Sequence, residues 1–143
     1  MQTKTYNSQS FEQTFSIAES LGKSAQKGEI YCLRGELGAG KTVFAKGFAK
    51  GLGITEDVTS PTFAIVNEYI GKLPFFHFDV YRIQHIDEMA DTGYEEYFYS
   101  NGVCLVEWAD LIQPLIPAQA TWITITKISE NLRRIDIYEN SGD

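Results

Sequence analysis

The stretch Gly35-Glu36-Leu37-Gly38-Ala39-Gly40-Lys41-Thr42 places glycine, four other residues, then glycine, lysine and a hydroxyl residue in a row. It comes after a short apolar run, Glu29 to Arg34. It precedes a stretch from Lys41 to Leu52 whose Phe44, Phe48 and Leu52 share one helical face. Strand, glycine-rich turn and helix form the context in which this pattern cradles phosphate. Gly35 and Gly40 are expected to take positive φ and to let the backbone approach a phosphate with no Cβ in the way. Successive N–H groups then form an anion nest, and the helix from Lys41 adds unpaired N–H groups and the positive end of its dipole. Lys41 is expected to reach the β- and γ-phosphates, and the Thr42 hydroxyl to take one position on Mg2+. Glu36, Leu37, Gly38, Ala39, Gly40, Lys41 and Thr42 are thus the expected nucleotide-binding residues. The chain's own composition would produce the fixed positions by chance about 0.008 times over its length, so the pattern is specific.

A P-loop also needs a carboxylate near its metal, usually at the end of an apolar strand. Val103-Cys104-Leu105-Val106 ends at Glu107, and Phe75-Phe76-His77-Phe78 ends at Asp79. A carboxylate closing such a run faces solvent or a site rather than the core. Alternation puts His77 and Asp79 on one strand face. His77 is read as a structural histidine and Arg82 as a surface salt-bridge residue.

Outward from this centre, Ser10 precedes a helical pattern with Phe11, Phe15, Ala18 and Leu21 on its apolar side. Gln13 completes a capping box, and a stop is expected near Gly22 or Gly28. Phe63–Ile70 and Leu73–Val80 read as a hairpin turning at Gly71-Lys72. One or two short helices are expected between Asp87 and Tyr99, then a strand from Gly102 to Glu107. Thr121–Ile128 and Arg133–Tyr138 read as the last two strands. The expected architecture is α/β, a single P-loop domain over residues 1–143 with one mixed sheet flanked by helices.

Net charge is −7, so the molecule as a whole is no magnet for nucleic acid. Residues 1–50 nevertheless balance at +3 and residues 51–143 at −10. No apolar run approaches the roughly 20 residues of a membrane span, and residues 1–6 do not read as a secretion signal, so a cytoplasmic location is expected. Cys32 and Cys104 each sit in an apolar run and read as reduced core thiols. A guanine reader of the N/T-K-x-D kind is missing its Asp at Thr126-Lys127-Ile128-Ser129. Few arginines are on hand for the lid of a small-molecule kinase.

Four segments in order, the P-loop, Ser60-Pro61-Thr62-Phe63, His77-Phe78-Asp79-Val80-Tyr81-Arg82 and Glu107-Trp108, resemble the TsaE (YjeE) family of tRNA threonylcarbamoyladenosine biosynthesis ATPases. The resemblance runs from about Tyr6 to Ile128. It implies a P-loop NTPase fold and an ATPase that binds ATP or ADP with Mg2+ and is slow when alone. It further implies the proteins TsaD and TsaB as partners, with tRNA met through their complex. By the same resemblance Lys41, Asp79 and Glu107 are catalytic, Thr42 and Glu107 hold the metal, and Asp79 orders water or the metal shell. Thr59, Ser60, Pro61 and Thr62 form a switch loop, and Ser10 and Arg133 flank adenine. Trp108 packs near the nucleotide or a partner, or else in the core.

Two other readings stay open on the residues alone. One is a small-molecule kinase, which would move phosphate to an acceptor other than water. The other is a nucleotide-dependent interaction module without catalysis.

Overall fold

The computed structural model of the chain describes residues 2–36, 38–61 and 65–139. Leu37 and Thr62, together with Phe63 and Ala64 of the expected hairpin, lie outside the described residues.

Seven strands form one mixed sheet. They are β1 (Gln2–Ser8), β2 (Ile30–Arg34), β3 (Val66–Ile70), β4 (Pro74–Asp79), β5 (Val103–Glu107), β6 (Thr121–Lys127) and β7 (Arg133–Glu139), in the spatial order β1-β7-β6-β2-β5-β4-β3. β6, β2, β5 and β4 run parallel at the centre. β3, β7 and β1 are antiparallel to their neighbours. Helices α1 (Phe11–Ser24) and α2 (Lys41–Gly51) cover one face. The 3-10 segments Ile86–Thr92 and Ala109–Leu115 and the short helix α3 (Tyr94–Phe98) cover the other.

β2 and β5 are buried on both faces, which explains their unbroken apolar runs. Leu33, Leu105, Phe75, Phe44 and Phe48 fill the core under α1 and α2. Cys32, Cys104, Phe78, Val106 and Met89 fill the other. Both cysteines are free, as read from the sequence, and burial pushes the Cys104 thiol up to about 12. The two covering helices pack closely because Gly22, Gly47 and Gly51 lie at their contact; a Cβ on Gly47 would lie 2.4 Å from the Phe15 carbonyl oxygen. Among the described residues no helix is long and apolar enough to cross a membrane.

Several details depart from expectation. β1 was not foreseen, because Gln2–Ser8 has no apolar face to reveal it; it pairs with β7 at a sheet edge. The Ala109–Leu115 segment was also missed. Ser10 caps α1 by accepting from the Gln13 N–H at 3.1 Å, but the Gln13 side chain accepts from the Gln9 N–H rather than from Ser10, so the capping box is only half formed. Phe11 is not on the packed side of α1. Thr14, Ala18 and Gly22 are buried there, while Phe11 is 57% exposed.

Candidate active site

β2, β4 and β5 end side by side, so the loops that leave them open on the same edge of the sheet. The register pairs Leu33 with Glu107 and Asp79 with Glu107. In a parallel sheet paired residues project to the same face. Asp79 and Glu107 therefore stand together on the face covered by α2. The P-loop leaves β2 beside them and enters α2 at Lys41. A cavity of about 350 Å³ results, lined by Gly38, Gly40, Lys41, Thr42, Ser60, Asp79, Glu107, Trp108, Phe11 and Val43.

Two glycines of the loop are in the left-handed region, Gly38 (φ 81°) and Gly40 (φ 106°). Gly35 is not, contrary to expectation. Its requirement is space instead: a Cβ there would lie 2.9 Å from the Ile125 carbonyl oxygen. Gly40 caps α2 without a side chain, and the first turn of α2 holds no acidic residue, so its N-terminal N–H groups face an uncompensated positive end.

Lys41 is buried, and its Nζ has no hydrogen-bond partner among the described residues. The ammonium lies 3.4 Å from the centre of the Trp108 ring. Burial lowers the Lys41 pKa, opposed by the nearby carboxylates of Glu107, Asp79 and Asp110. A buried cation without a hydrogen-bonding partner, beside a helix N-terminus, suits an anion. Asp79 accepts from the Tyr81 N–H at 3.0 Å. Burial raises the Asp79 pKa; that hydrogen bond lowers it, and Glu107 raises it further. His77 Nε2 and Glu107 Oε2 are 2.6 Å apart, both side chains buried.

Among the described residues no cluster of three or more His, Cys, Asp or Glu side chains could hold a metal. The Thr42 hydroxyl and the Asp79 and Glu107 carboxylates in the cavity wall fit Mg2+ taken with phosphates, since this ion keeps waters and uses one or two carboxylates besides phosphate oxygens. Thr42 and Glu107 line the same cavity and would be the protein's contribution.

Ser60 reaches the cavity; Thr59 does not line it, and its N–H donates to the Tyr69 hydroxyl while its carbonyl accepts from Asn67 Nδ2. Pro61 is half-buried beside Ser60. Lys46 anchors this loop: Nζ donates to Asp57 Oδ1 and to the Val58 carbonyl, each at 2.7 Å. Ser10 and Arg133 meet at a second, smaller cavity of about 50 Å³, together with Phe11, Glu130 and Asn131. Arg133, however, directs its guanidinium to backbone carbonyls, including Ala39 at 3.0 Å and Gly38 at 3.2 Å. Sequence reasoning missed the exposed Phe11, which borders both cavities. The signal for it was its place directly after the cap, at the helix end nearest the loop. Trp108 sits between Lys41 and Tyr81, whose ring centre is 4.8 Å from its own, and holds φ 62°, rare for a bulky residue. Arg82 is exposed and does not line the cavity.

A glycine-rich loop between a buried strand and a helix, at the carboxyl ends of parallel strands, marks the P-loop class of α/β proteins, and this chain is of that class. A family model described as threonylcarbamoyl adenosine biosynthesis protein TsaE matches residues 8–135, and the chain belongs to the TsaE family. The tRNA threonylcarbamoyladenosine biosynthesis protein TsaE of Bacillus subtilis (strain 168) is 50% identical over 125 residues, which cover 87% of this chain and 78% of that protein. The protein of the same name from Treponema pallidum (strain Nichols) is 36% identical, over 91% and 96% of the two chains. Among solved structures, the crystal structure of Bacillus subtilis YdiB superposes with a TM-score of 0.81 and 38% identity, covering 96% of this chain and 86% of that one.

Proposed function

We propose that the protein binds ATP with Mg2+ in the 350 Å³ cavity and hydrolyses it in support of threonylcarbamoyladenosine formation in tRNA, acting in the cytoplasm with TsaD and TsaB. The observation that carries the reading is the buried, unbonded ammonium of Lys41, set among Thr42, Asp79 and Glu107 at the start of α2. The names of the relatives supply the pathway.

Catalysis of phosphoryl transfer is mostly positioning and charge stabilisation. Lys41 leaves the Trp108 face to meet the β- and γ-phosphates. The N–H groups of the loop and of the first turn of α2 hold the same oxygens. Thr42 and Glu107 would hold Mg2+, which when bound would offset negative charge on the phosphate oxygens. Asp79 orients the attacking water through its carboxylate. Ser60 lies within the cavity wall, where a γ-phosphate would order its loop.

The test is ATP hydrolysis by wild type and Lys41→Ala, with and without a purified TsaD–TsaB pair. The reading expects a slow wild-type rate, raised by the pair, and a flat mutant. Phosphate release that never responds to the pair would overturn the assignment of partners. Phosphate transfer to a small acceptor would replace hydrolysis with kinase chemistry.

A further inference from the structure

We propose that His77 is a positioning residue: its imidazole holds one oxygen of Glu107, so that the other is presented to the cavity for the metal. The inference rests on the P-loop reading of the site.

His77 sits in the middle of β4 among Phe75, Phe76 and Phe78 and is 1% exposed. It projects to the face that carries Leu105 and Glu107, since the register pairs it with Leu105 and puts Asp79 against Glu107. The neighbouring positions on that face, Phe75 and Leu105, are apolar. An apolar side chain would pack there without a polar atom to satisfy. His77 instead buries Nδ1 with no partner among the described residues, an arrangement that costs stability. Its hydrogen bond to Glu107 Oε2, at 2.6 Å, is what it gains in return. The Phe75 ring lies nearly parallel, 9° between planes and 6.1 Å between centres, and limits rotation of the imidazole.

Glu107 explains why such a clamp is needed. It is 4% exposed at the end of a strand buried on both faces. A buried carboxylate must be hydrogen-bonded or lose its charge. With the proton on Nε2, His77 donates to Oε2, and Nδ1 is left as a bare lone pair, which is less costly to bury unbonded than an N–H. Oε1 remains for the cavity that Glu107 lines. Partners that orient a metal-binding carboxylate typically affect metal affinity or activity about 10–100-fold.

The test compares wild type with His77→Leu, which fills the space but cannot donate, and His77→Gln, whose amide can take the place of Nε2. Mn2+ affinity is measured by electron paramagnetic resonance in the presence of a non-hydrolysable ATP analogue. ADP affinity is measured without divalent metal, and kcat and KM for ATP alongside. The expected result is about 10–100-fold weaker Mn2+ binding and a lower kcat in His77→Leu, with metal-free ADP affinity unchanged and both losses largely restored in His77→Gln. A folded His77→Leu that binds Mn2+ like wild type overturns the inference, as does a Gln variant no better than Leu. If His77→Leu does not fold, His77→Asn replaces it. Its amide is too short to reach Glu107, so Asn and Gln variants with equal Mn2+ affinity overturn the inference, and a roughly tenfold advantage for Gln supports it. Failure of wild type itself to bind nucleotide or Mn2+ would instead bring down the P-loop reading, and the inference with it.

Discussion

The guanidinium of Arg133, at the start of the last strand, donates from Nε to the carbonyl of Ala39 in the phosphate loop at 3.0 Å, across 94 residues of sequence. Nη2 donates to the Gly38 carbonyl at 3.2 Å, and Nη1 to carbonyls of the β6–β7 turn. With these carbonyls turned outward, the Gly40 N–H, trans to the Ala39 carbonyl, is turned the opposite way. Arg133→Met leaves these acceptors without their charged donor. We expect a loss of about 2–3 kcal/mol in stability and weaker nucleotide binding, read by denaturant unfolding and nucleotide titration. A variant of unchanged stability would remove the buttress role.

Lys41 reverses the usual relation between a buried residue and stability. Burial holds its pKa below the ordinary lysine value, so the unfolded chain binds its proton more tightly than the folded one. Ligand-free stability should therefore carry a penalty at neutral pH that is relieved as pH rises through the folded pKa toward 10.5. Lys41→Met should abolish hydrolysis yet raise the melting temperature of the ligand-free protein at pH 7, by about 3 °C for each kcal/mol recovered. Calorimetry without nucleotide checks the sign. A lower melting temperature would mean that the contact with Trp108 outweighs desolvation.

Asp79 has the opposite charge and an analogous burden. Its folded pKa is raised, chiefly by burial and further by Glu107, so between the unfolded and folded values the folded state binds more protons and stability falls as pH rises. Asp79→Asn should match wild type in stability below pH 3.8, where both side chains are neutral, and exceed it progressively on the way to pH 7. Its hydrolysis rate at pH 7 should fall about 100-fold, the scale of rate lost when a reacting group is mispositioned. Melting curves across that range, beside the rate assay, separate the two effects.

Trp108 reports on the site because Lys41 rests on its ring. Phosphate binding draws the ammonium away and changes the surroundings of the indole. Addition of Mg-ATP should shift the intrinsic fluorescence, and the shift should survive Trp122→Phe but vanish in Trp108→Phe. Trp122 lies against Arg34 at the opposite face of the sheet and gives the background signal. A change confined to Trp122 would show that the Lys41 contact is not broken by the ligand.

The amino-acid sequence by itself determined the strand, loop and helix of Ile30 to Gly51, the two strand-end carboxylates, the hairpin turning at Gly71-Lys72 and the cap at Ser10. Each depends on near neighbours: periodicity, turn residues and fixed spacing act within about a dozen positions. Only the tertiary structure decided which of these met. β4 lies beside β5, so Asp79 and Glu107 share a register pair and His77 reaches the Glu107 carboxylate. β7 returns past the loop, so Arg133 donates to the Gly38 and Ala39 carbonyls and lines the small cavity beside Ser10. Phe11 fits an apolar helical pattern and is left exposed because Thr14, Ala18 and Gly22 face α2. β1 has no pattern of its own and exists because β7 offers an edge. Gly35 and Gly40 look alike in the motif, yet one answers to the Ile125 carbonyl and the other to positive φ. Contacts between distant segments arise from strand order, and strand order is settled by how the whole core packs.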